Sequence, residues 1–127
     1  MELLVLTVVG IIVIGLSAYF VFVREKPKVI KDYITGWRHY DGDRALPALK
    51  PGDILQLKRQ PSNPYDKFAV EIFTSNSAKL GFVSRAYSNI VSTAIADKKV
   101  VICSIIAINP PPEEAVKRAQ IQINIYK

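Results

Sequence analysis

Cysteine, histidine, methionine and tryptophan each occur once in these 127 residues, and that scarcity closes off several kinds of chemistry. The lone Cys103 allows no internal disulfide and suits a reducing compartment. One Cys and one His fall far short of the four ligands a structural zinc needs. Cys103 lies in the apolar run 100–108 and reads as a small buried apolar group. There is no Walker-type phosphate loop and no nucleophile motif, and His39 has no Ser or Cys partner at a recognisable spacing. Asp41-Gly42-Asp43 hints at a metal site, but it is ordinary turn composition with no third carboxylate in register. No metal, no cofactor and no enzymatic activity are expected. Internal repeats and low-complexity tracts are absent too.

Charge is missing from residues 3–23. At about 1.5 Å per residue, a helix of that length crosses a hydrocarbon core of about 30 Å. A cleaved signal peptide fits less well, because Glu2 is the only charged side chain before the run and Leu16 occupies the small-residue position upstream of Ala18. Tyr19 stands where a lipoprotein signal needs cysteine. The expectation is a retained transmembrane helix over 1–23 that contacts the lipid bilayer. Arg24, Lys26, Lys28 and Lys31 come after it, so the N-terminus is expected outside and the remainder in the cytoplasm. Gly10 and Gly15 lack the GxxxG spacing of paired spans, and a monomer is expected. Residues 24–28 form a short basic linker, broken by Pro27, that reaches under about 20 Å and holds the rest of the chain close to the bilayer.

Residues 29–127 are enough for one domain and too few for two. Beyond residue 23 there are 17 basic and 10 acidic residues, a formal charge of +7 that favours polyanions, whether nucleic acid or anionic lipid. The patterns are those of strands. Residues 53–58 come after the turn signal Pro51-Gly52; 68–73 and 79–83 flank a turn at 74–77 and read as a hairpin; 100–108 reads as a central strand. Residues 119–126 alternate apolar and polar, as a strand with one wet face does. One main helix is expected over 85–96, capped by Ser84, with Ile90, Val91, Ala94 and Ile95 on its inner face. A short helical turn is possible near 44–49, limited by Pro47. The fold class is mainly β: a small, partly open OB-like barrel with one main helix, preceded by the transmembrane helix.

Asn63-Pro64-Tyr65-Asp66 forms a turn in which Asn63 hydrogen-bonds the backbone two residues on, presenting Tyr65 and Asp66 outward. With Gly36-Trp37-Arg38-His39-Tyr40 upstream and Leu80-Gly81-Phe82-Val83-Ser84-Arg85 downstream, this segment resembles the HIRAN domain over about 31–126. That family precedes the motor of certain fork-remodelling DNA translocases and also occurs alone in bacteria. Three positions depart from its pattern: His39 where many members have Tyr, Phe82 where Tyr or His is frequent, and Phe68 in place of an Asn.

The resemblance implies a binding module for single-stranded DNA 3′ ends, with Arg38, His39, Tyr40, Tyr65, Asp66, Lys67, Phe82 and Arg85 as the contacting residues. In that role Tyr65 stacks on a base, and Arg38, Lys67 and Arg85 pair with phosphates. Asp66 accepts a hydrogen bond from a terminal 3′-hydroxyl and repels a 3′-phosphate. Helicase or nuclease activity associated with the family resides in other domains and is expected only from a separate partner. The residues also have plainer readings. Arg38 is a solvated strand residue, His39 and Tyr40 cover the barrel mouth, Phe82 is core, and Arg85 is a first-turn helix residue whose charge opposes the helix dipole. The rival function is a scaffold whose basic face binds anionic lipid or a partner protein. The orientation has a direct check: a reporter active only in the periplasm, fused after Lys127, is expected to stay silent, and a strong signal overturns it.

Overall fold

The computed structural model describes residues 26–127. The span expected over 1–23 lies outside the described residues, and among the described residues no helix is long and apolar enough to cross a membrane.

Six strands build one antiparallel sheet: β1 (Lys28–Tyr33), β2 (Ile54–Arg59), β3 (Val70–Phe73), β4 (Lys79–Phe82), β5 (Val101–Ile108) and β6 (Ala119–Ile125), in the order β1-β6-β5-β2-β3-β4. The two turns read from sequence organise its middle. Pro51-Gly52 places Gly52 at φ +95°, with Asp53 N–H returning to the Lys50 carbonyl, and β2 leaves from there. The hairpin β3–β4 turns through 74–77, where Thr74 Oγ1 accepts the Ala78 N–H and Ser77 adopts a left-handed φ of 66°. β5 lies inside the sheet between β6 and β2, as its apolar run predicts. β6 alternates buried Ala119, Ile121, Ile123 and Ile125 with half-buried polar residues, the expected wet face.

The sheet curls because β2 divides its partners. Ile54 and Leu55 pair with β5, while Gln56 to Arg59 pair with β3. The curl carries β4 round to the chain just beyond β1, where Thr35 and Phe82 form an antiparallel bridge. Its two backbone hydrogen bonds are 2.9 Å (Thr35 N–H to Phe82 O) and 2.8 Å (Phe82 N–H to Thr35 O). Gly81 makes the approach possible. It sits at φ +150°, and a Cβ there would overlap the Thr35 carbonyl oxygen.

Inside the curl, Ile30, Ile34, Leu55, Ile72, Leu80 and Ile105 share one core with residues from every strand. Cys103 is part of it, and burial pushes its thiol up to about 12, consistent with an inert apolar role. Trp37, 1% exposed, closes one end of the core. Its indole N–H donates to Asp43 Oδ1 at 2.8 Å, and Gly42 leaves room for the ring where a Cβ would collide with it. Asp41-Gly42-Asp43 thus serves to seat a tryptophan, and no group of acidic, His or Cys side chains suited to a metal occurs among the described residues. The short helical turn near 44–49 appears as α1 (Gly42–Ala45) followed by a 3-10 turn, Leu46–Ala48, with Pro47 near its start.

Helix α2 (Arg85–Ala96) has the expected bounds, and of its expected inner face Val91, Ala94 and Ile95 pack into or against the core while Ile90 does not. Ser88, Val91, Ser92 and Ala94 are buried, whereas Ile90 is 39% exposed. The two serines turn inward because they have partners there: Arg59 Nε donates to Ser92 Oγ at 3.1 Å, and Ser88 Oγ donates to Asp66. Ser84 occupies the N-cap position but makes no side-chain cap. Its hydroxyl donates instead to Asp32 Oδ2, tying the helix start to β1.

Two glycines separate the effect of closure from that of backbone strain. Gly81→Ala adds a steric clash to an unfavourable φ, so a loss of about 2–5 kcal/mol is expected. Gly52→Ala, with open space around it, should lose only about 1 kcal/mol. Chemical denaturation measures both, and equal losses would remove the closure argument.

Candidate functional site

The loop between β2 and β3 is closed at its base by Gln60 N–H donating to Ala69 O at 2.8 Å. Within it Asn63 organises the turn. Its Oδ1 accepts the N–H groups of Tyr65 (2.8 Å) and Asp66 (3.1 Å), and its Nδ2 donates to Gln60 Oε1 (3.0 Å). This is the side-chain turn that the Asn-Pro pair predicts.

Tyr65 faces outward as expected, 81% exposed. Asp66 does not. It is half-buried, with Oδ1 accepting the Phe68 N–H at 2.9 Å and Oδ2 accepting the Ser88 hydroxyl at 2.8 Å. The turn is thereby fastened to the first turn of α2, and Arg85 Nη2 adds a second tie by donating to the Tyr65 carbonyl at 2.8 Å. The backbone under the Tyr65 ring is held at several points while the ring itself is displayed.

A groove of about 330 Å³ runs beside this turn. Tyr65, Asp66 and Arg85 line it together with Tyr40, Lys79 and Phe82. The latter three form a unit. The Tyr40 and Phe82 rings meet edge-on at 5.6 Å, and Lys79 Nζ lies 4.2 Å and 4.3 Å from their centroids. Glu71 sits 3.5 Å from the same ammonium. Tyr40 reaches this position because both its flanks are fixed. Trp37 is buried on one side, and the Asp41 N–H donates to the Lys79 carbonyl at 2.9 Å on the other. Phe82 is half-buried and lines the groove, so it is neither wholly core nor free.

Of the eight residues singled out from sequence, the fold brings five into one groove: Tyr40, Tyr65, Asp66, Phe82 and Arg85. Arg38 and His39 are exposed on the 3-10 turn Trp37–His39 and face a separate hollow with Ala115 and Val116. Lys67 is exposed, its ammonium 5.1 Å from the Phe68 ring. Lys79 and Ser88 were not singled out. Lys79 is three residues before Phe82, an offset without meaning in an isolated strand. Ser88 and Ser92 do share a helical spacing with Arg85, which was the available signal.

The groove offers three aromatic rings, two cations and one carboxylate on a pinned backbone. Such a set suits a ligand with flat rings and negative charges.

A family model described as HIRAN domain matches residues 29–127. Two solved structures share the fold: the HIRAN domain of human HLTF (TM-score 0.60, 18% identity, 77% of this chain and 74% of that one) and a protein from Lactobacillus plantarum (TM-score 0.63, 18% identity, 80% and 99%). No curated protein matches the chain.

Asn63→Ala removes three hydrogen bonds from an exposed loop, and a net loss of about 1–2 kcal/mol is expected. Amide exchange followed by NMR should quicken at Tyr65 and Asp66 while the β5–β6 amides keep their protection. Unchanged exchange at those two amides would show that Asn63 does not hold the turn.

Proposed function

The chain belongs to the HIRAN domain family, and on that footing we propose that it is a membrane-anchored binding module for single-stranded DNA ends that recognises a free 3′-hydroxyl. The observation that carries this reading is Tyr65, a ring 81% exposed on a backbone pinned by Asn63 and Arg85, next to a carboxylate and two cations in one groove. A large exposed aromatic adds nothing to the core, whereas stacking on a terminal base is worth about 1–3 kcal/mol and tolerates any sequence. Lys79 and Arg85 meet the phosphates, which makes affinity fall with salt as counterions are released.

Asp66 reads the terminus. A carboxylate has about four lone-pair sites, and the Phe68 amide and Ser88 hydroxyl use one on each oxygen. The remaining ones accept a 3′-hydroxyl, while a 3′-phosphate meets like charge. The proposed contact set is Tyr40, Tyr65, Asp66, Lys79, Phe82 and Arg85, with Arg38, His39 and Lys67 outside it. Residues 1–23 anchor the module, and the domain works in the cytoplasm as a monomer. Its role is binding, and any chemistry on the captured end belongs to a partner enzyme.

The test compares oligonucleotides that differ only in a 3′-hydroxyl or 3′-phosphate. The hydroxyl end should bind more tightly by about 1.5–3 kcal/mol, the value of a hydrogen bond to a charged group. Asp66→Asn keeps an acceptor for the Phe68 amide, and the Ser88 hydroxyl can rotate to accept from the new amide, so the turn persists. The variant should lose affinity for the hydroxyl end and tolerate the phosphate better. Tyr65→Ala should weaken both ends alike. Equal binding of the two ends by the parent chain, or full discrimination by Asp66→Asn, would overturn end recognition.

A further inference from the structure

Two groups of basic residues stand at places that the fold keeps apart. One is the groove. The other lies where β1 begins, β6 ends and β5 begins: Ile125 pairs with both Lys28 and Val101, which brings the three strand ends to one level. The C-terminus of α2 joins them there, with the Lys98 and Lys99 N–H groups folding back onto the Ile95 and Ala94 carbonyls at 3.0 Å. Lys26, Lys28, Lys99 and Lys127 rim a hollow at this end, floored in part by Ile90 and Ile125. All four lysines are exposed, and no acidic residue lines the hollow. Val29, Ile90 and Val100 stand out at the same end as exposed large apolar side chains. Asp97, the C-cap residue of α2, is an acidic neighbour of Lys98 and Lys99, and the lysines remain in excess over it; around protruding aliphatic groups they complement an anionic surface with an apolar layer beneath it.

The position of this end in the chain selects the occupant. Residue 26 is the first described residue, and only residues 24 and 25 separate it from the uncharged stretch 3–23. The groove lies at the far ends of the same two elements. Thr35, beyond the end of β1, and Arg85, the first residue of α2, both line it. The helix between the two places has 12 residues and is therefore about 18 Å long.

We infer that the Lys26–Lys28–Lys99–Lys127 end docks on the headgroups of anionic phospholipids in the bilayer that residues 3–23 span, so that the groove opens away from the membrane, one helix length above it. The inference rests on the proposed anchor and is independent of what the groove binds. It supplies an orientation that a tether alone does not. A chain held only by residues 24–27 is free to present any face to the lipid, including the groove, whose cations an anionic surface would also attract.

The test uses the full chain in nanodiscs of phosphatidylcholine, alone or mixed with phosphatidylglycerol. Lysine acylation rates are read by mass spectrometry at moderate salt. Acylation at Lys26, Lys28, Lys99 and Lys127 should slow about fivefold in the anionic discs, which is what about 1 kcal/mol per lysine at such a surface amounts to. High salt should abolish the difference, and Lys50 and Lys67 should react alike in both lipids. Equal rates at the four lysines, or protection that requires an added oligonucleotide, overturns the docking while leaving the anchor intact. Chain that alkaline carbonate strips from the discs overturns the anchor and the docking with it.

Discussion

A barrel made from one curled sheet depends on the contact that stops it from uncurling, and in this chain that contact is the two-hydrogen-bond bridge between Thr35 and Phe82. It requires the backbone of Gly81 to approach the Thr35 carbonyl at a distance no side chain allows. The surroundings of the bridge are set by it. The bridge holds the backbone of Phe82, and its ring meets Tyr40 edge-on. Lys79 lies at the start of the same strand and settles over both rings. The chain leaving β4 turns at once into α2, which places Arg85 and Ser88 under the Tyr65 turn. The groove is thus assembled at the seam of the barrel, where backbone geometry is most constrained.

Asp66 shows how one carboxylate serves both the fold and the candidate site. Its two inward hydrogen bonds make it the clasp between loop and helix. An apolar residue there would leave the Phe68 amide without its partner and the Ser88 hydroxyl with only the long contact to the Arg85 carbonyl, 3.5 Å, and a buried group left unpaired costs about 1–3 kcal/mol. An asparagine would satisfy both while removing the charge. Since packing alone accepts either residue, the negative charge is the part of Asp66 that the fold does not need, and the proposed end recognition rests on that part.

What could be read from the chain without coordinates was whatever is local. Pro51-Gly52, Thr74 to Ser77 and Asn63-Pro64 each carry their turn chemistry within a few residues, and the alternation of Ala119 to Ile125 states its wet face directly. Long-range contacts left weaker marks. Gly81 is separated from Thr35 by the whole of β2 and β3, so no periodicity marks its role. The inner face of α2 is legible at Val91, Ala94 and Ile95, but buried Ser88 and Ser92 do not register on an apolar pattern; their burial depends on Asp66 and Arg59, which arrive from other elements. Arg38, His39 and Tyr40 looked like one cluster. The 3-10 turn fans successive side chains by about a third of a circle, and the extended backbone of Tyr40 then sends it to the groove while its two neighbours face another hollow.

A net charge of +7 is ambiguous as a number, since it suits nucleic acid and anionic lipid equally. Placement in the fold sets two groups of these cations in different surroundings. The cations of the groove stand among aromatic rings, a setting for flat, charged ligands. Those at the opposite end stand among exposed aliphatic side chains next to an uncharged stretch, a setting for a lipid surface. β1 and α2 link the two ends as rigid struts, and the joint between strut and groove is itself fixed, by Ser84 to Asp32 and by Ser88 to Asp66. An orientation imposed at the lysine end is therefore carried to the groove without a hinge between them.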